Sequence, residues 1–95
     1  MLNLFEVFQG VIIEAMILEI KKQGDIVSFN PAIRIDSPRD YDDFYEDITG
    51  LEYDKDEDCY YVHNFVTDTN PDVEEYWTPL KDMSFDELFR IAGRL

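Results

Sequence analysis

The apolar residues near the start of the chain fit two different elements. A helical stripe is formed by Leu4, Phe5, Phe8, Val11, Ile12, Ala15 and Met16. A buried strand fits Ile12, Ile13, Ile17, Leu18 and Ile20 equally well. A turn signal at residues 22–25 precedes a strand-like run at residues 26–29. This order favours a hairpin with strands at 12–21 and 26–35, after a short helix or extra strand over 2–9. One long helix over residues 4–23 is the alternative.

The next pattern predicts a helix over residues 38–49. Ser37 is a favoured N-cap residue, Pro38 suits the first helical position, and Gly50 supplies a stop. Between these ends, four apolar residues fall at i, i+3, i+4 and i+7, namely Tyr41, Phe44, Tyr45 and Ile48. The outward side of this helix would carry the carboxylates of Asp40, Asp42, Asp43, Glu46 and Asp47.

The second half of the chain predicts a hairpin, a loop and a last helix. Strands at 51–53 and 60–66 flank an acidic tip at 54–58, residues 67–72 read as loop, and residues 72–77 as a helical turn. Ser84 and Glu87 form a capping box, and Asp86 and Arg90 an outer ion pair. The inner stripe of this helix would be Phe85, Leu88, Phe89 and Ala92. We therefore predict one α+β domain over residues 1–95, a small antiparallel sheet packed with two amphipathic helices.

Acidic charge is concentrated in the middle of the chain. The formal net charge is −14, and fifteen Asp and Glu lie between Asp36 and Glu75 against only Arg39 and Lys55. Self-repulsion in such a segment opposes folding, so we expect the charge to serve a partner with a basic surface. The same charge excludes direct binding to nucleic acid and opposes binding to an anionic membrane.

The remaining composition favours a folded protein of a reducing compartment. Aromatic residues make up 15% of the chain, which argues against disorder despite the charge. Cys59 is the one cysteine and cannot form an internal disulfide, which predicts a cytoplasmic location. Residues 1–20 are apolar-rich but contain three glutamates and lack a basic leader, so we interpret them as core.

One motif resembles part of a calcium loop. Asp54, Asp56 and Asp58 match the first three ligand positions of an EF-hand. Cys59 then stands where glycine is needed, and Phe65 where a bidentate glutamate is needed. We therefore interpret this run as a solvated hairpin tip and predict no dedicated metal site.

Catalytic chemistry finds little support in the sequence. Cys59 and His63 would share one strand face but lie well apart along it, and nothing supplies an oxyanion hole or an orienting group. The chain has no phosphate-binding glycine loop and no recognised hydrolase or metalloprotease motif. We predict a non-enzyme without catalytic residues or cofactors.

The acids and nearby aromatics instead predict a surface that binds a protein. Tyr76 and Trp77 follow two glutamates and would form either an exposed anchor or the edge of the core. The predicted partner-binding residues are Asp40, Asp42, Asp43, Glu46, Asp47, Asp54, Asp56, Glu57, Asp58, Asp72, Glu74, Glu75, Tyr76 and Trp77.

Three functions fit this surface. The first is an inhibitor that mimics DNA and binds a nucleic-acid-processing protein, in the manner of phage anti-restriction or anti-CRISPR proteins. The second is an immunity protein or antitoxin that neutralises a basic nuclease. The third is an assembly subunit that binds copies of itself, as in a homodimer, with acidity serving solubility.

Overall fold

The computed structural model describes residues 3–36, 44–67 and 73–95. The elements follow in the order helix α1 (Leu4–Lys22), strands β1 (Ile26–Asp36), β2 (Tyr45–Asp54), β3 (Cys59–Thr67) and β4 (Val73–Pro79), a short 3₁₀ turn (Leu80–Asp82), and helix α2 (Phe85–Ala92). The strands form one antiparallel sheet in the order β1-β2-β3-β4. The predicted α+β class, with a small antiparallel sheet and two helices, is confirmed.

The first segment is one long helix, so the predicted strand over residues 12–21 is wrong and the alternative is right. The Asn3 side chain caps α1, because its Oδ1 accepts a hydrogen bond from the Phe5 amide at 2.9 Å. The other end closes at Gly24 and Asp25, whose φ angles of 86° and 69° are left-handed. There the Asp25 amide donates to the Ile20 carbonyl at 3.0 Å, and β1 then begins at Ile26, as predicted.

The predicted helix over residues 38–49 is wrong where the structure describes it. Residues 45–49 belong to β2, in which Ile48 pairs with Ile33 of β1 and with Asn64 of β3. Residues 38–43 lie outside the described residues. Aromatic and β-branched side chains such as Tyr45 and Thr49 pack well on a sheet, and pairing on both sides outweighs the helical spacing.

The hairpin formed by β2 and β3 is confirmed, with Asp54 opposite Cys59 at its tip. The predicted helical turn over residues 72–77 is wrong from Val73 onward, because this segment is β4 and pairs with β3. Extended backbone there satisfies the hydrogen-bonding groups of β3 on its second side.

The last helix is also confirmed, with the capping box in place. Ser84 Oγ accepts from the Glu87 amide at 3.2 Å, and the Glu87 carboxylate accepts from Ser84 in return. Leu88 is fully buried, whereas Phe89, predicted to face inward, is 54% exposed.

Both helices cover the same face of the sheet, which we call the helix face. Along the central row of the sheet, Val27, Leu51 and Val62 stand side by side and are buried. They share one core cluster with residues from both helices, namely Met16, Ile20, Leu88 and Ile91. Neither helix of the described residues combines the length and the hydrophobicity that a membrane span requires.

The opposite face of the sheet, which we call the open face, is uncovered by the helices. Side chains alternate between the two faces along each strand. The open face therefore carries Ile26, Arg34, Asp36, Asp47, Glu52, Asp54, Tyr61, His63, Phe65, Glu75 and Trp77. Ile26 is 61% exposed and Trp77 48%.

Candidate functional site

A stacked pair of rings lies on the open face, toward the edge of the sheet that β4 forms. His63 and Trp77 stand opposite each other on β3 and β4, and their rings are 4.1 Å apart at an interplanar angle of 7°. The Phe65 ring lies 4.8 Å from His63 at 58°. Three aromatic side chains thus form one platform, and the outer one, Trp77, remains half exposed.

Two neighbours fix the orientation of the His63 ring. Its Nδ1 lies 3.0 Å from Thr49 Oγ1, and its Nε2 lies 2.7 Å from Glu75 Oε1. Thr49 Oγ1 also donates to the His63 carbonyl oxygen at 3.2 Å. With both ring nitrogens held, the imidazole gives Trp77 a rigid surface to stack on, and rigid aromatics are effective anchors for a partner.

Among the described residues of the open face, Arg34 is the one arginine, and it is already paired. Arg34 donates to both carboxylate oxygens of Asp47, at 2.8 and 2.9 Å, and its guanidinium lies 4.2 Å over the Tyr45 ring. This bidentate bond, with the negative charge of Asp47, holds the pKa of Arg34 above its usual range. The positive charge of Arg34 is therefore matched locally, and the remaining carboxylates of this face set its sign.

An open cleft of about 660 Å³ runs from the platform to the hairpin tip. Its lining residues are Glu52, Tyr53, Asp54, Lys55, Asp56, Glu57, Tyr61 and Trp77. Tyr61 donates its hydroxyl hydrogen to Glu57, and this bond raises the pKa of Tyr61. The cleft thus combines an aromatic end at Trp77 with four carboxylates against one cation, Lys55, and this net acidic lining suits a Lys or Arg side chain of a protein partner.

The acids of the hairpin tip hold the turn itself. Asp54 Oδ1 accepts from the amides of Asp56 and Glu57, at 2.9 and 3.3 Å. Asp58 has a left-handed φ of 50° and accepts a 2.5 Å bond from the Tyr53 hydroxyl, which raises the pKa of Tyr53 to about 12. The resemblance to a calcium loop thus coincides with residues that shape a β-turn. Within the described ranges, no three His, Cys, Asp or Glu side chains group as a metal site.

One predicted partner-binding residue faces the wrong way for that role. Glu46 lies on the helix face and is only 5% exposed, so the expectation that it points outward is wrong. Its Oε1 accepts from Asn64 Nδ2 at 2.9 Å, and Asn64 Oδ1 accepts from Thr78 Oγ1 at 3.1 Å. A strand replaces the predicted helix here, and its alternation turns Glu46 inward while Asp47 faces the open side.

The other predicted residues divide among the two faces and the tip. Tyr76 and Trp77, expected to act together, are both exposed but lie on opposite faces, and Tyr76 donates to Glu74 on the helix-face side. Glu75 and Trp77 lie on the open face with Asp47 and Asp54, and the tip carries Asp56, Glu57 and Asp58. Asp40, Asp42, Asp43 and Asp72 lie outside the described residues.

Cys59 and His63 share the open side of β3, as predicted, and are four residues apart, which is about 13 Å along a strand. Each has other partners. Cys59 Sγ lies 3.8 Å from the Tyr60 carbonyl, and His63 bonds Thr49 and Glu75. The geometry does not form a nucleophile–base pair.

Two residues of the platform, His63 and Phe65, were missed as site residues in the sequence, as was Thr49, which bonds His63. Alternation over residues 60–66 does place His63 and Phe65 on one face, and that signal was present. Their meeting with Trp77 depends on β4, which the sequence pattern did not predict.

Comparison with known proteins gives no relative. No protein-family model matches the chain, and no curated protein or solved structure is significantly similar to it.

Proposed function

We propose that this protein is a small acidic inhibitor that binds the basic surface of a nucleic-acid-processing protein through its open face. The observation that supports the proposal is the aromatic platform surrounded by carboxylates on a face that the helices leave uncovered. Five acids accompany the platform: Asp36, Asp47, Glu52, Asp54 and Glu75. A partner built to bind phosphates would offer lysines and arginines to this surface.

Charge density decides how far the face resembles DNA. From Asp47 to Asp54 the strand rises about 23 Å, a length over which duplex DNA presents about 14 charges. On the described strands, the open face offers five carboxylates, one of them bonded to Arg34. The charge of these strands alone is therefore a sparse imitation of DNA. In our proposal the carboxylates steer association, and Trp77 supplies the contact that slows dissociation.

A second function, an immunity protein or antitoxin against a basic nuclease, draws on the same observation. Aromatic anchors surrounded by a polar rim are typical of protein–protein interfaces. An immunity protein need not follow the spacing of phosphates, so the sparse charge suits it as well. The two functions differ in the partner: a host nucleic-acid-binding protein for the inhibitor, a single toxin for the immunity protein.

The test compares two variants that each neutralise three carboxylates. The open-face variant is Asp36→Asn with Glu52→Gln and Glu75→Gln. The control is Glu6→Gln with Asp82→Asn and Asp86→Asn, which are exposed residues of the helices and the turn. Each immobilised protein is used to capture nucleic-acid-binding proteins, which mass spectrometry identifies.

We expect the native chain and the control to retain one target that the open-face variant releases. Because exposed charges are screened over about 8 Å at physiological ionic strength, salt should elute that target. Displacement of the captured target by duplex DNA would favour the inhibitor. A target that stays bound in the presence of DNA would favour the immunity protein. Equal retention by all three proteins would contradict binding through the open face.

A further inference from the structure

Helix α1 is apolar on two sides, and only one side packs on the sheet. Met16 and Ile20 are buried in the core, with Ile12, Ile13 and Ile17 packed against it. The far side exposes a second row, which we call the α1 seam: Leu4, Phe8, Val11, Ala15 and Leu18. Leu4 is 72% exposed, and Phe8, Val11 and Leu18 are about 60% exposed. A helix that is apolar all round is normally covered on all sides.

The spacing of the α1 seam is that of a coiled coil. Its residues are separated by four, three, four and three positions, which is the a/d pattern of a heptad repeat. A strict a/d row is narrower than the stripe by which a helix packs on a sheet. The pattern therefore predicts that a second helix, with the same a/d row of apolar residues, packs on the α1 seam.

We propose that the α1 seam pairs with the α1 seam of a second copy of this chain, with the two helices antiparallel. Reversing the row about residue 13 superimposes four of its five members on one another. Phe8 then meets Leu18 of the second copy, and Val11 meets Ala15, so that layers of large side chains flank layers of smaller ones. Leu4 meets the aliphatic stem of Lys22.

Charge favours the second copy on this side of the molecule. The chain carries −14 in all, yet α1 has three glutamates and two lysines, so two copies repel each other least through α1. In the antiparallel arrangement Lys21 and Lys22 lie level with the first turn of the second copy, which contains Glu6. A parallel pair would instead align like charges and like helix dipoles.

The size of the contact indicates a reversible dimer. Nineteen residues of helix span about 28 Å, and a helix is about 10–12 Å wide, so each copy offers roughly 300 Å² of footprint. Obligate dimers bury far more. The apolar surface continues through Phe5 and Phe85, whose rings lie 5.4 Å apart, to the exposed Phe89 of α2.

The dimer would be bivalent. Because α1 covers the helix face, pairing through the seam directs the two open faces outward, away from each other. If the open face binds a partner as proposed above, each dimer binds two copies of it. This consequence rests on the proposed function, whereas the pairing of the helices does not.

The test is the mass of the full chain in solution, measured by sedimentation over a series of concentrations. Val11→Glu places a charge in the middle of the seam, at a position that is 60% exposed. Gly10→Glu adds the same charge to the same helix off the seam, where a Cβ meets no atom within 4 Å. We expect the native chain and Gly10→Glu to reach the mass of two chains at high concentration, and Val11→Glu to remain at one.

Orientation is tested by disulfide cross-linking in a Cys59→Ser background. Mixing Phe8→Cys with Leu18→Cys should give a cross-linked pair, while each variant alone should not. Cross-linking of each variant alone would overturn the antiparallel arrangement. A native chain that keeps the mass of one chain at every concentration would overturn the dimer, as would equal behaviour of Val11→Glu and Gly10→Glu.

Discussion

Polar side chains have different roles on the two faces of the sheet. On the helix face, Glu46, Asn64 and Thr78 join in a hydrogen-bonded chain across three strands, and Glu46 and Asn64 are each 5% exposed. On the open face, Glu75 and Thr49 hold one imidazole, and the indole beside it stays half exposed. These polar groups of the helix face are satisfied inside the fold, whereas Glu75 and Thr49 fix the orientation of a ring at the surface. Under the proposed function, folding and binding therefore depend on different sides of the same strands.

The largest expected effect comes from comparing the same substitution, isoleucine to alanine, at two positions of β1, one on each face of the sheet. Ile33→Ala removes a side chain that is 7% exposed and should lower the free energy of unfolding by about 2–5 kcal/mol. Ile26→Ala, on the open face and 61% exposed, should change it by less than about 0.5 kcal/mol. Urea unfolding of both variants measures the difference. Equal losses would show that the open face is also part of the core.

The next effect concerns the close approach of β1 to β2. A Cβ on Gly50 would lie 2.5 Å from the Val27 carbonyl oxygen, so Gly50→Ala must displace backbone and should cost about 1–3 kcal/mol of stability. Gly10 lies within α1, where a Cβ has free space, and Gly10→Ala should stabilise the protein by about 0.5–1 kcal/mol. Thermal melts of the two variants should shift in opposite directions. If Gly50→Ala melted at the same temperature as the native protein, β1 and β2 would be able to move apart without loss of stability.

A smaller effect on stability, with a large effect on binding, is expected at Trp77. Trp77→Ala removes the ring stacked on His63, and such aromatic pairs contribute about 0.5–1.5 kcal/mol. Tyr76→Ala changes the neighbouring residue, which lies on the other side of β4. Under the proposed function, Trp77→Ala should release a target captured by the native chain, and Tyr76→Ala should retain it. The reverse result would move the interface to the helix face.

The sequence predicted the fold class, the hairpin tip and the last helix, because these depend on local signals. Ser84 and Glu87 cap α2 whatever lies around them, and the turn at residues 54–58 is dictated by its own acids. The first element, helix α1, was harder to predict. Helix α1 is apolar on the sheet side and along its seam, which removes the contrast that reveals a helix, and its four isoleucines also suit a strand.

The helix predicted over residues 38–49 failed for the opposite reason. A buried carboxylate at Glu46 interrupts the apolar alternation of β2, so the strand lost its signature while Tyr45 and Ile48 kept a helical spacing by chance. What stabilises Glu46 inside the fold is Asn64, eighteen residues away. A pairing at that distance is not visible in local periodicity, and the platform of His63 and Trp77 depends on the same kind of pairing.

The smallest effect is a change in the pKa of Tyr53, and it tests whether the acids of the hairpin tip stabilise the turn. The bond from Tyr53 to Asp58 raises the pKa of Tyr53 to about 12. Because this pKa exceeds the ordinary value of about 10 in the unfolded chain, the stabilisation is complete below pH 10 and is lost as pH rises through 12. Asp58→Asn keeps a residue that tolerates the left-handed backbone and should move the Tyr53 midpoint back toward 10. Asp56→Asn is the control and should leave it unchanged. Carbon-13 NMR of the tyrosine rings gives the midpoint of each titration. If Asp58→Asn left the Tyr53 midpoint unchanged, the acids of the tip would not be held by the turn and would be available to a partner.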